Sequence, residues 1–275
     1  MQFGAITNSW RNHLMEQGLV DLIAEAEARG SRHIELRQTC LGTCETGQGE
    51  DWRPNLEGLQ AVADRFTGLN FDLAMALPCL TQNVDPEGEQ FQMALSGARI
   101  VGRDNPHLRL VDPSPLEGRW ESPADIPAQA LNLANLAREA ARQGVILSLE
   151  NSGQTIGSMA ILVEECRKQL SAEEGDYLGL CPDPTNQLRR FPDSDPLGDL
   201  NALPLDMLKI VHFKQARGGD PHPSVDTGDL DCGEMLRLLE EKDYQGPAIM
   251  EIPPHPDVFD NLTASYDFLV AASGR

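Results

Sequence analysis

The chain has 275 residues and carries 43 Asp and Glu against 22 Lys and Arg, a formal net charge of −21. That excess repels phosphate backbones and anionic bilayer surfaces, so neither nucleic acid nor a membrane is expected as a partner. With 40% apolar and 24% charged residues there is material for a sizeable core, and no apolar run approaches the roughly 20 residues of a transmembrane span.

In chain order, short apolar runs alternate with helical patterns. A strand is predicted at 3–6, then a helix marked by Leu19, Leu22, Ile23 and Ala26 and closed by Gly30. A second strand at 33–37 precedes a helix marked by Leu56, Leu59, Val62, Ala63 and Phe66. The third strand, at 71–77, is stopped by Pro78, and the fourth lies at 107–111. Ser122 and Pro123 read as a cap and first helical residue, with Leu133, Leu136 and Ala140 continuing that helix to Gly144. A fifth strand at 145–150 is followed by a helix through Leu162, Val163, Cys166 and Leu170. The sixth strand, at 177–181, leads to a short segment bounded by Pro196 and Pro204. The seventh, at 208–213, precedes a helix marked by Met235, Leu236 and Leu239. The eighth, at 248–252, precedes the last helix, through Leu262, Tyr266 and Leu269.

Eight strands alternating with helices imply a parallel sheet. No Gly/Ser-rich linker or composition break divides the repeats, and neither GxGxxG after the first strand nor GxxxxGK[ST] occurs. The expected fold is therefore a single (β/α)8 TIM barrel over residues 1–275, with long mouth loops at about 38–55 and 215–231. Residues 1–10 lack the basic start and apolar core of a signal peptide. The six cysteines are scattered rather than paired, so reduced thiols and a cytoplasmic location are expected. Cys40 and Cys44 have no second pair at zinc-site spacing, so no structural zinc is expected there.

Barrel enzymes carry their chemistry where strands end. Strand five ends at Glu150, strand six runs into Asp183, strand seven ends at His212 and strand eight at Glu251. Successive separations of 33, 29 and 39 residues are each near one strand–helix unit. Alternation puts Ser148 with Glu150, Ile210 with His212 and Lys214, and Ile249 with Glu251 on one face, so all four groups can point into the barrel. Two Glu, one Asp and one His suit a divalent metal: Mn²⁺ or Mg²⁺ first, with Co²⁺ or Zn²⁺ also compatible.

The motifs Ser148-Leu149-Glu150-Asn151, Asp183-Pro184-Thr185-Asn186, Val211-His212-Phe213-Lys214 and Ile249-Met250-Glu251, with Ile34-Glu35-Leu36-Arg37 a looser match, resemble the xylose isomerase-like barrel superfamily of sugar phosphate isomerases and epimerases. The resemblance implies metal ligands at Glu150, Asp183, His212 and Glu251, and a catalytic acid/base pair at Glu150 and Glu251. Two positions depart from its pattern: Asn186 stands where epimerases often have His, and Gln215 where Asp is common.

The expected function is a divalent-metal-dependent isomerase or epimerase acting on a ketose or keto sugar acid through a metal-bound enediolate. The alternative is a metal-dependent lyase, a decarboxylase or dehydratase of an oxidised sugar acid such as a 3-oxo acid. A non-catalytic binding protein is the third reading. The candidate substrate contacts are Arg37, Lys214, Asn186, Asn151, Trp10 and His255; Arg37 pairing with Glu35 is the local alternative for that residue. Trp52, His222 and Asp112 rank below them. The partner is thus a small carbohydrate or sugar acid, and homo-oligomer assembly is left open. A metal nuclease on this scaffold would need more His at strand ends than the six in the chain allow.

Overall fold

A computed structural model describes residues 1–114 and 118–273. Eight parallel strands form the barrel: β1 (Gln2–Ile6), β2 (His33–Arg37), β3 (Asn70–Ala76), β4 (His107–Val111), β5 (Ile146–Glu150), β6 (Leu178–Cys181), β7 (Val211–Phe213) and β8 (Pro247–Met250). Neighbours run β6-β5-β4-β3-β2-β1-β8-β7. The seam between β6 and β7 is stitched by one parallel bridge, Leu180 to Leu208. There Lys209 N donates to the Leu180 carbonyl and His212 N to the Pro182 carbonyl, both at 3.0 Å. The second of these bonds sets His212 beside Asp183. This is the expected (β/α)8 barrel.

The main helices are α1 (Leu19–Ala28), α2 (Leu56–Arg65), α3 (Glu89–Gly102), α4 (Leu133–Arg142), α5 (Ile156–Arg167), α6 (Pro184–Arg190), α7 (Pro196–Ala202), α8 (Cys232–Glu241) and α9 (Val258–Ala272). Their apolar faces pack on the outward residues of the strands, with Leu73, Leu108, Leu147 and Phe213 joining Leu59, Leu95, Leu136 and Leu239 in one core. The predicted pattern omitted α3, whose buried Phe91, Ala94, Leu95, Ala98 and Val101 follow helical spacing. The helix predicted from Ser122 is instead three pieces. A 3-10 turn, Pro123–Asp125, has Ser122 and Asp125 as its capping box. A second, Ala128–Asn132, follows Pro127, and α4 begins only at Leu133. Pro127 lacks the N–H needed to continue the first turn. α6 and α7 each begin with an Asp cap followed by Pro, Asp183-Pro184 and Asp195-Pro196.

The barrel interior is unusually polar. Branched apolar side chains normally fill such a barrel in layers. Here only Ile6, Cys181, Ile210 and Ile249 form an apolar cluster. His33, Glu35, Asp72, His107, Arg109 and Ser148 are all buried. His33 Nε2 pairs with Asp72 Oδ1 at 2.8 Å and His107 Nε2 with Ser148 Oγ at 2.7 Å. β1 and β2 approach closely at Gly4, where a Cβ would clash with the His33 carbonyl. Among the described residues no helix is long and apolar enough to cross a membrane. All six cysteines are free and buried.

Candidate metal centre

The ends of β5, β6, β7 and β8 bring Glu150, Asp183, His212 and Glu251 together, with one ligand atom of each within 4.8 Å of all the others. Asp183 is held by two devices. It caps α6, accepting from Asn186 N at 2.8 Å through Oδ1, which leaves Oδ2 to face the cluster. Its backbone is clamped by Asn151, whose Nδ2 donates to the Asp183 carbonyl at 2.9 Å and whose Oδ1 accepts from Asp183 N at 2.7 Å. Glu251 follows β8, with its own N bonded to the Phe213 carbonyl.

Lys214, two residues beyond His212, places Nζ 2.9 Å from Asp183 Oδ2, 2.7 Å from Glu251 Oε2 and 3.2 Å from Asn186 Oδ1. Asn186 donates in turn to Glu150 Oε1 at 3.0 Å. Asn8 Nδ2 reaches Glu251 Oε1 at 3.5 Å. On the inner side, the His212 ring places Nε2 2.7 Å from Glu35 Oε2, and its Nδ1 faces Glu251 Oε2 at 3.2 Å and Glu150 Oε1 at 3.7 Å. Arg109 lies behind, donating from Nε to Glu35 Oε1 and from Nη1 to Glu150 Oε2, both at 2.6 Å.

These charges set the ionisation states. Burial works to raise the Glu35 pKa, but Arg109 and His212 more than reverse it and hold it at about 2. Glu150 is lowered in the same way, with Arg109 the main opponent of burial. Glu251 falls well below the ordinary carboxylate range because Lys214 and His212 outweigh its burial. Asp183 is raised, since burial exceeds the help from Lys214. For His212, burial favours the neutral ring, yet its acidic neighbours, Cys181 and Glu35 first, raise its pKa well above the usual value.

The donor set fits a divalent cation. Asp183 Oδ2, His212 Nδ1 and Glu251 Oε2 are buried and make no hydrogen bond of acceptable geometry. Lys214 is within ion-pair distance of the two carboxylate oxygens, but that contact does not satisfy them directionally. With His212 neutral, as a metal-ligating ring must be, four carboxylates (Glu35, Glu150, Asp183, Glu251) face two fixed cations (Arg109, Lys214), an imbalance of two negative charges. Three oxygens and one imidazole nitrogen are the ligands that Mn²⁺, Mg²⁺, Co²⁺ or Zn²⁺ accept.

The substrate contacts expected from sequence divide. Lys214 and Asn186 lie in the cluster. Arg37 lies at the mouth, half-buried, donating from Nη1 to the Gln38 carbonyl at 2.9 Å. It does not pair with Glu35, which Arg109 and His212 have already claimed. Asn151, Trp10 and His255 instead make contacts within the protein. Asn151 is buried and spends both ends of its carboxamide on the Asp183 backbone, so its side chain shapes the site by clamping that ligand. Trp10 is fully buried in the turn after β1, stacked on Phe259 at the start of α9 with ring centroids 5.4 Å apart. His255 accepts from Asp257 N at 3.1 Å and, among the described residues, has no hydrogen bond or ion pair to the cluster.

The lower-ranked candidates also have local roles. Trp52 donates to Glu45 Oε2 at 2.6 Å. Asp112 accepts from Leu80 N at 2.7 Å and Ser114 N at 2.8 Å. His222 sits against the Ser224 carbonyl. Gln215 is a staple for the loop after β7: its Nε2 donates to the carbonyls of Asp226 and Leu230 at 2.7 and 2.8 Å. Sequence reasoning missed Arg109 and the role of Glu35. The available signal was a charged residue between two leucines in a parallel strand, Leu108-Arg109-Leu110.

Residues 89–270 match the family model described as xylose isomerase-like TIM barrel. The chain belongs to that family. Among solved structures, the probable 3-DHS dehydratase AsbF from Bacillus anthracis is similar at 16% identity and a TM-score of 0.72, with 98% of this chain and 99% of that one covered. A zinc-bound IOLI protein is 16% identical, with a TM-score of 0.69 and coverage of 99% and 96%. D-allulose 3-epimerase from Methylomonas sp., in complex with D-allulose, is 16% identical, with a TM-score of 0.68 and coverage of 99% and 97%. Among curated proteins none matches the chain.

Proposed function

We propose that the protein is a divalent-metal-dependent isomerase or epimerase of a ketose or keto sugar acid. The observation that carries this reading is the convergence of Glu150, Asp183, His212 and Glu251 within 4.8 Å, with a carboxylate at each end of the run. A bound metal would act as a Lewis acid on a ketone oxygen and adjacent hydroxyl, acidifying the neighbouring C–H. Glu150 and Glu251 reach in from strands separated by β6 and β7, so they flank the substrate position. Glu150 presents Oε1 to the site, its Oε2 being held by Arg109, and Glu251 presents its carboxylate opposite; one takes the proton and the other returns it. Arg109 beside Glu150 and Lys214 beside Glu251 lower both pKa values, which keeps both carboxylates ionised in the metal-free protein. Lys214 and Asn186 are placed to orient substrate oxygens beside them. The similarity to a D-allulose 3-epimerase supports the same reading.

A second reading is favoured by Arg37. Its guanidinium makes no ion pair among the described residues, although burial and the nearby Arg109 both disfavour its charge. An unpaired fork at the mouth suits a carboxylate, and an oxidised sugar acid brings a lyase reaction into range. Similarity to a probable dehydratase is consistent with it. Incubation with ketoses and 3-oxo sugar acids plus Mn²⁺, following CO₂ release and solvent-deuterium uptake together, separates the readings. Deuterium uptake with reversible interconversion supports the isomerase. CO₂ or water loss supports the lyase, and neither, with no metal bound, supports a binding protein.

A further inference from the structure

We propose that Glu35 and Arg109 form a buried positioning relay for the metal centre. Arg109 ties Glu35 to Glu150, and Glu35 holds His212 in the orientation and tautomer that turns Nδ1 toward the metal. The inference rests on the metal reading above and adds residues outside the four ligands.

The geometry is a continuous chain. Arg109 contacts Glu35 Oε1 through both Nε and Nη2, and contacts Glu150 Oε2 through Nη1. The other oxygen of Glu35 meets His212 Nε2 at 2.7 Å. His212 Nδ1 is then the ring nitrogen on the side of Glu150, Asp183 and Glu251. Glu35 and His212 are fully buried and Arg109 is 1% exposed, so no substrate reaches Glu35 or Arg109. They act only through His212 and Glu150.

A carboxylate on the far nitrogen of a metal-binding His fixes the tautomer and strengthens the ligand. A buried Arg–Glu pair is no more stabilising than apolar side chains of similar volume, and apolar layers are what this fold usually holds. Stability alone therefore does not account for the pair. The relay also joins two ligands on separate strands, β5 and β7, to one guanidinium on β4.

The test is Mn²⁺ binding without substrate, with free Mn²⁺ read by electron paramagnetic resonance. Glu35→Gln keeps the shape but leaves an acceptor at only one end, whereas Arg109 and the His212 Nε2–H each need one. The expected result is a Kd raised by about 10–100-fold, with the metal-free melting profile still cooperative. In a His212→Ala background the same substitution should raise Kd by a clearly smaller factor, because only the Arg109–Glu150 branch of the relay then remains. Unchanged affinity in Glu35→Gln, or an equal loss in both backgrounds, overturns the relay. Wild type that binds no Mn²⁺ overturns the metal reading itself.

Should Glu35→Gln fail to fold, nitrogen-15 NMR of the wild-type imidazoles decides. Adding Zn²⁺ should shift His212 Nδ1 while Nε2 keeps its proton. A shift at Nε2 instead contradicts the relay.

Discussion

The two halves of the barrel contribute different things to one site. Strands β5 to β8 deliver the four candidate ligands at their ends. Strands β2 and β4 deliver Glu35 and Arg109 from within their lengths, one layer deeper. The first set ends at the mouth, where a ligand or substrate arrives. The second set is sealed off and touches the first by hydrogen bonds alone. On the proposed reading, the contrast separates groups that would do chemistry from groups that hold those groups still, and the two should fail differently when altered.

The largest effect is expected at the mouth. Glu150→Gln and Glu251→Gln keep size and one oxygen but lose the proton-accepting carboxylate, so solvent-hydrogen exchange into substrate should fall by about 10²–10⁴-fold. Each variant should retain measurable metal. A Gln variant that still interconverts ketoses at the wild-type rate would remove that residue from the acid/base pair. One that still releases CO₂ would transfer the case to the lyase.

The deeper layer should fail through stability. Arg109→Met leaves Glu35 and Glu150 buried without their counter-ion, and a loss of about 3–5 kcal/mol is expected in denaturant unfolding of the metal-free protein. A loss below about 1 kcal/mol would mean the pair is not sealed as the geometry shows.

Below it, His107 and Asp72 give the interior a pH signature. Burial pushes His107 down to about 3, so it stays neutral in the fold and its contribution is lost as pH falls from 6.5 toward 3. Burial, with Glu35 adding to it, pushes Asp72 up to about 6. Its contribution is fully present below 3.8 and is lost as pH rises through 6, the opposite sense. His107→Asn should therefore flatten the acid limb of stability between pH 6.5 and 3, by an amount on the order of a few kcal/mol. An unchanged limb would show that His107 is solvated.

The smallest effect expected is at Arg37. Arg37→Lys keeps the charge and loses the fork, so KM for a sugar acid should rise about 10-fold with kcat little changed. Turnover of neutral ketoses alone, unaffected by Arg37→Ala, would exclude the anion-binding role.

What the sequence made legible follows the same division. Glu150, Asp183, His212 and Glu251 each interrupt or follow an apolar strand, so alternation and repeat length expose them. Arg109 and Glu35 also alternate with leucine and isoleucine, but their partners lie 74 and 177 residues away, at Arg109–Glu35 and His212–Glu35. No local pattern encodes that pairing. The local contacts of Trp10 and Asn151 were illegible for a related reason. Their types suit sugar contacts, yet the turn after β1 buries one against Phe259, and the Asp183 backbone consumes the other. The helix before α4 was misread because a valid cap at Ser122 does not reveal where Pro127 ends its turn.

The most direct measurement is an equilibrium Mn²⁺ titration of metal-free wild type beside His212→Ala. The account predicts one equivalent bound by wild type, a Kd at least about 100-fold weaker in the variant, and a barrel that remains folded in both by circular dichroism. Equal Mn²⁺ affinity in a folded His212→Ala protein would contradict it.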